Sequence, residues 1–206
     1  MNIESFILIG GRSSRLGTDK ARVELGGRTL LQRSIDAVRE ALPLSTVTAV
    51  AAHSAQFAVS AIMSDVPFIF DLHEDLGPLA GLHAALANSK TPWIFLLACD
   101  YPFVSPELIR MLSEKLDDEH ACVVPRQEDG RLQPLCAFYK VLSALPVVEE
   151  IIERPRVPPP MREIVERLEP QIIAYDEYSH LANADFLFAN VNTSDDLRAA
   201  RLREMS

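Results

Sequence analysis

The nine residues 92–100, PWIFLLACD, constrain the fold more than any other stretch of this chain. A strand with one wet face alternates apolar and polar side chains. This run does not alternate, so it must be covered on both faces and lie inside a sheet flanked by helices. The rest of the first half supplies the neighbours. SFILIG (5–10), TVTAVAA (46–52) and PFIFD (67–71) read as further strands. TLLQRSIDAVREAL (29–42) places Leu30, Leu31, Ile35, Val38, Ala41 and Leu42 on one helical face. SAQFAVSAIM (54–63) reads as a helix, and PLAGLHAALANS (78–89) as another with proline in its first turn. SPELIRMLSEKL (105–116) carries Ser105 as a cap and Pro106 at its first position. Strand and helix alternating through short connections predict a mostly parallel sheet in an α/β fold.

The second half is less regular. ACVVP and PLCAFYK read as strands, SALPVVEEIIER and MREIVERL as helices separated by RPRVPPP, and FLFANVNTSDDLRAARLREM as strand, turn and helix. At 206 residues, 48% of them hydrophobic, the chain is expected to form one domain over 1–206 with a sizeable core. A formal net charge of −9 argues against nucleic acid as a partner, which calls for a basic footprint. No apolar run approaches the roughly 20 residues of a membrane span, and the first residues lack the basic start of a signal peptide. Cys99, Cys122 and Cys136 are widely spaced, odd in number and set in apolar runs, which suits buried thiols in a reduced cytoplasmic compartment.

Against that acidic background, one loop is basic. FILIGGRSSRLGTDKARVELGG (6–27) follows the first strand and gathers Arg12, Arg15, Lys20 and Arg22, with Arg28 just beyond. Loops beyond the carboxyl ends of parallel strands are where ligands bind in such sheets. Gly10 and Gly11 allow close backbone approach, and exposed amides there make a nest for phosphate oxygens, with arginine and lysine adding charge. The loop is neither a dinucleotide fingerprint nor a Walker A loop. An ordinary strand-to-helix turn with solvated arginines is the competing reading.

LIGGRSSRLGTDKA (8–21) resembles the glycine-rich signature of nucleotidyltransferases, most closely that of the molybdenum cofactor guanylyltransferase family. The similarity continues, in the family's order, through DLGPLAGLHAAL (75–86), IFLLACDYPFVS (94–105), QPLCAFYK (133–140) and NVNTSDDL (190–197). The resemblance implies a Rossmann-like three-layer α/β/α fold of the nucleotide-diphospho-sugar transferase type. It implies transfer of GMP from GTP to molybdopterin, the molybdenum cofactor, with Mg²⁺ and release of pyrophosphate. It also extends the partners to molybdoenzymes or other proteins of the cofactor pathway. A cytidylyltransferase on the same cofactor, a sugar-phosphate nucleotidyltransferase and a non-catalytic cofactor-delivery protein are the alternatives.

The reaction asks for two anions to be held together while charge grows on the departing pyrophosphate, so positioning and electrostatics carry it. On the resemblance, Lys20 with Arg15 contacts the triphosphate, and Leu8, Ile9, Gly10 and Gly11 meet the nucleotide through backbone. Asp100, ending the strongest strand, suits Mg²⁺ held by one carboxylate oxygen among water and phosphate. Asp71 also ends a strand and is expected in nucleotide binding, with a turn residue as the competing reading. Thr193 with Asp196 reads as a capping box. Asn190 and Asn192 have no capping role, and the resemblance puts them on the acceptor side. His53 stands where members often carry asparagine; an imidazole holds donor and acceptor on opposite ring edges, an amide side by side.

Overall fold

The computed structural model describes residues 2–9, 20–52, 66–73, 76–154, 157 and 159–204. Gly10, Gly11, Arg15, His53 and the expected helix at 54–63 lie outside them.

The chain runs β1 (Ile3–Leu8), β2 (Glu24–Leu25), β3 (Arg28–Thr29), α1 (Leu30–Ala41), β4 (Thr46–Ala51), β5 (Phe68–Phe70), α2 (Pro78–Asn88), β6 (Trp93–Ala98) and α3 (Pro106–Ser113). It continues through β7 (Cys122–Pro125), β8 (Cys136–Lys140), α4 (Val141–Glu153), α5 (Met161–Arg167), β9 (Gln171–Ile173), α6 (Tyr175–Tyr178) and α7 (Ser194–Glu204). Seven strands form one sheet in the order β5-β4-β1-β6-β8-β7-β9. β8 alone runs against its neighbours; the other pairings among β5, β4, β1 and β6, and between β7 and β9, are parallel.

β6 sits between β1 and β8 with all six residues buried, as its unbroken apolar run requires. The two-residue period divides it between two cores. Trp93, Phe95 and Leu97 face the layer of α1 and α3, packing with Leu31, Ile35, Leu108 and Leu112. Ile94 and Leu96 face the layer of α2, α4 and α5, packing with Leu82, Val148 and Ile164. The expected three layers follow. Cys99, Cys122 and Cys136 are buried, behaving as small core side chains. Among the described residues, no helix is long and apolar enough to cross a membrane.

Two caps hold as their residue types demand: Ser105 Oγ accepts from the Leu108 amide at 3.3 Å, and Thr29 Oγ1 from the Gln32 amide at 3.1 Å. One expected element is corrected. FLFANV is not a strand: Ala184–Phe186 forms a 3₁₀ turn entered through Asn183 at φ 60°, and the Ala189 amide bonds back to the Phe186 carbonyl at 2.9 Å. Its apolar side chains serve different cores. Leu187 and Phe188 join the α1/α3 side, while Val191 joins a third cluster, so the backbone must turn between them. The strand that does close this edge is β9, three residues long.

Candidate functional site

The chain moves outward from β1 to β4 and β5, then returns to the other side of β1 with β6. The crevice beyond the carboxyl ends of β1 and β6 is therefore the switch point at which such sheets bind ligands. The two strands stay joined to their ends, since the Cys99 amide donates to the Leu8 carbonyl at 3.1 Å. Asp100 is the next residue. On the far side, the Ile9 amide donates to the Val50 carbonyl at 2.9 Å, so Leu8 and Ile9 lie at the mouth of the crevice with these groups engaged by the sheet.

Lys20 reaches Asp100 from a 3₁₀ turn, Lys20–Arg22, that leads into the β2–β3 hairpin. A small apolar cluster fixes that turn. Val23, Leu25 and Leu30 pack with Val191 and Ala200, so the N-terminal hairpin is fastened to the segment entering α7. Arg33 adds polar ties, donating to the carbonyls of Leu25 (3.2 Å) and Pro102 (3.3 Å) and pairing with Glu204 on α7. Gly26 turns the hairpin at φ 59°, a left-handed backbone conformation that favours glycine, close to the Glu204 carboxylate. The Val191 amide, finally, donates to the Asp100 carbonyl at 3.0 Å.

These ties bring three sequence-distant groups together. The Lys20 ammonium donates to Asp100 Oδ2 at 2.9 Å and to Asn192 Oδ1. The Lys20 and Asp100 side chains are only 15% and 17% exposed, so water screens the pair little. Asn192 is itself held. Its backbone amide and that of Thr193 donate to Asp196 Oδ2 at 3.0 and 2.8 Å, and Thr193 Oγ1 accepts from the Asp196 amide at 3.1 Å. This is the expected capping box, and the Asn192 amide above all holds the Asp196 carboxyl below its ordinary range. Asp100 Oδ1 is buried and has no hydrogen-bond partner among the described residues. A buried carboxylate oxygen left over beside a bound ammonium is a donor atom for a cation.

Asp71 is built differently. Its amide bonds the Ala51 carbonyl at 2.9 Å, continuing the edge pairing of β5 with β4. Its side chain packs toward Gly81 on α2, where an added Cβ would come within 3.6 Å of Oδ1 and 2.7 Å of a Leu8 methyl. Burial pushes the Asp71 carboxyl up to about 6, and no ion pair to it is seen among the described residues.

Past Asp100, toward β8 and β7, two hollows of about 330 and 490 Å³ open side by side. Gln127, Arg131, Phe188 and Asn190 border both; Tyr101 and Gln133 belong to the first, Asn192 and Arg203 to the second. Asn190 thus lies between the two hollows, and Asn192 links the second of them to Lys20. Tyr101 and Gln133 were within reach of the sequence, adjoining Asp100 and opening QPLCAFYK, but Gln127, Arg131 and Arg203 carry no periodic or motif signal.

Solved structures share this architecture. A nucleotidyl transferase from Methanothermobacter thermautotroptrophicus superposes with a TM-score of 0.74 at 18% identity, covering 99% of this chain and 98% of that one, so the two share a fold. Residues 5–170 match the MobA-like NTP transferase domain, and the chain belongs to that family of nucleotidyltransferases. Within it, the chain is similar to the molybdopterin-guanine dinucleotide biosynthesis protein A of Archaeoglobus fulgidus (TM-score 0.78, 28% identity, 98% of each chain covered). It is 31% identical over 204 residues to a probable molybdenum cofactor guanylyltransferase of Methanosarcina mazei, covering 94% of this chain and 87% of that protein. It is 28% identical over 193 residues to the molybdenum cofactor guanylyltransferase of Vibrio atlanticus, covering 93% and 91%.

Proposed function

We propose that this chain transfers GMP from GTP to the molybdenum cofactor, releasing pyrophosphate and forming the guanine dinucleotide form of the cofactor. The observation that carries the reading is the meeting of Lys20, Asp100 and Asn192 at the sheet's switch point, beside hollows bordered by Asn190. The names of its relatives agree with it.

In this reading the acceptor's terminal phosphate oxygen attacks the α-phosphorus of GTP, and the bond to the bridging oxygen of pyrophosphate breaks. The attacking oxygen is already anionic near neutral pH, so no general base is called for. The loop containing Gly10, Gly11 and Arg15 lies next to the triphosphate, and the Lys20 ammonium neutralises its oxygens. Asp100 holds that ammonium in place, and Asn192 holds it from the acceptor side. The unpartnered Asp100 Oδ1 fits a divalent cation, since Mg²⁺ is commonly held by one or two carboxylates with phosphate and water in the remaining positions. Bound there, Mg²⁺ would supply charge neutralisation on the departing pyrophosphate. Asp71, once ionised, accepts a hydrogen bond from the nucleotide, and Leu8, Ile9 and His53 border the base and ribose. Such a protein works in the cytoplasm, where its three buried thiols stay reduced.

The test is a pyrophosphate-release assay with molybdenum cofactor as acceptor, comparing GTP, CTP and ATP at matched concentrations with Mg²⁺. Turnover is expected to be fastest with GTP. Faster turnover with CTP overturns the guanylyl assignment, and no turnover with any nucleotide leaves the cofactor-delivery alternative standing.

A further inference from the structure

The first hollow contains a hydrogen-bond relay that the reaction as derived does not use. The Tyr101 hydroxyl, 8% exposed, donates to Gln133 Oε1 at 3.0 Å. Gln133 is 7% exposed, and its Nε2 donates to Gln127 Oε1. The relay has a direction. A buried phenol must place its proton on an acceptor, and burial pushes the Tyr101 hydroxyl well above its ordinary range, so it stays a donor. That makes the near atom of Gln133 its oxygen and the far atom its nitrogen. Gln127 then receives through its oxygen, and its own Nε2 remains to donate.

Gln127 borders both hollows, so that donor lies at their junction. Its backbone is pinned by a tight turn: the Gln127 amide donates to the Arg131 carbonyl at 2.9 Å, and the Gly130 amide to the Gln127 carbonyl at 2.9 Å, with Gly130 at φ 84°. The facing wall is equally fixed, since Phe188 meets Tyr101 and Tyr178 edge to face at 6.0 and 6.2 Å. Two buried glutamine and tyrosine side chains are a costly way to fill a core. An oriented donor beside an aromatic wall is what a flat, oxygen-bearing ring system requires. The relay also stands on the correct side. Gln127 follows β7, across β6 and β8 from β1, whereas Asp71 follows β5, on the other side of β1.

We propose that Gln127, oriented by Tyr101 through Gln133, is the specificity contact for the planar heterocyclic head of the acceptor, donating its Nε2–H to a ring oxo oxygen while the acceptor's phosphate end lies at Asn192 and Lys20. This rests on the cofactor guanylyltransferase reading for the identity of the acceptor, a phosphorylated pterin, but not for the donor role of Gln127.

The decisive variant is Gln127→Glu, which keeps the shape and still accepts from Gln133 but removes the outward donor. In steady-state kinetics it is expected to raise KM for the molybdenum cofactor at least tenfold, with KM for GTP and melting temperature unchanged. Gln127→Ala should match it, and Tyr101→Phe should raise the same KM about threefold by releasing the relay. An unaltered acceptor KM in Gln127→Glu overturns the contact, a matching rise in KM for GTP moves the hollow to the nucleotide and overturns it as well, and an unaltered KM in Tyr101→Phe overturns the relay. A second measurement separates this from the activity itself: calorimetric titration of wild type and Gln127→Glu with a pterin bearing a phosphomethyl group. Wild type is expected to bind at least tenfold more tightly. Equal binding, or no binding to wild type, overturns the proposal whether or not the enzyme turns over.

Discussion

Asp71 and Asp100 stand in the same grammar, a carboxylate closing a short apolar strand, yet the structure treats them in opposite ways. Asp100 ends an interior strand and meets a lysine delivered from 80 residues away in sequence, with one oxygen engaged and the other left over. Asp71 follows the edge strand β5, where burial, with no compensating cation among the described residues, raises its carboxyl to about 6. A buried carboxylate beside an ammonium is poised to hold further positive charge. One that is merely desolvated is poised to become neutral until a ligand's donors arrive. The same residue type at equivalent positions thus meets an ammonium in one place and desolvation in the other.

The sharpest way to break this contrast is to neutralise each carboxylate in turn. Asp100→Asn should reduce turnover on the order of 10²-fold or more, because it frees Lys20 and removes the negative charge that would attract Mg²⁺, while nucleotide binding falls much less. Steady-state kinetics across a Mg²⁺ titration, with melting temperature as the folding control, would show it. An Asp71→Asn variant that lost as much turnover would erase the distinction between the two sites.

The partner of Asp100 provides the next effect. Lys20→Ala removes the ammonium proposed to contact the triphosphate and should weaken GTP binding by about 1.5–3 kcal/mol. Calorimetry on the folded variant measures this, and an unchanged affinity takes Lys20 out of the nucleotide site.

Asp71 should give the smallest change, with a sign of its own. Its carboxyl rises from 3.8 in the unfolded chain to about 6 in the folded protein. The folded state therefore binds the extra proton between those values, and stability falls as pH rises from about 4 to about 6, with the full penalty present above that window. Asp71→Asn should remove this slope and raise the midpoint of thermal unfolding at pH 7 by a few degrees. Partial exposure limits the gain to about 1 kcal/mol. Thermal melts of both proteins from pH 4 to 8 would reveal the converging curves. Parallel curves would mean that Asp71 has a counter-charge in the folded state.

Legibility followed the same division. The interior strands and their helices could be read from apolar runs and periodicity, and β6 lies where its sequence demands. The chain's second half misled at FLFANV, because an apolar cluster looks the same whether its side chains share one core or, as with Phe188 and Val191, serve two. The strand β9 was missed because three residues at a sheet edge, of which Ile173 alone is buried, have neither the length nor the alternation to announce themselves.

Local sequence by itself determined the layered α/β architecture, the caps at Ser105 and Thr193, the strand-end position of Asp100 and the family to which the chain belongs. Those features depend on residues close together in sequence, or on motifs in a fixed order. Tertiary structure alone decided that Lys20 lies between Asp100 and Asn192, that Asp71 is half-buried with no counter-charge among the described residues, and that Tyr101, Gln133 and Gln127 form one directed relay. The reason is that hydrogen bonding and desolvation act through space over a few ångströms. The packing that sets those distances, here the small cluster of Val23, Leu25, Leu30, Val191 and Ala200, joins segments some 170 residues apart.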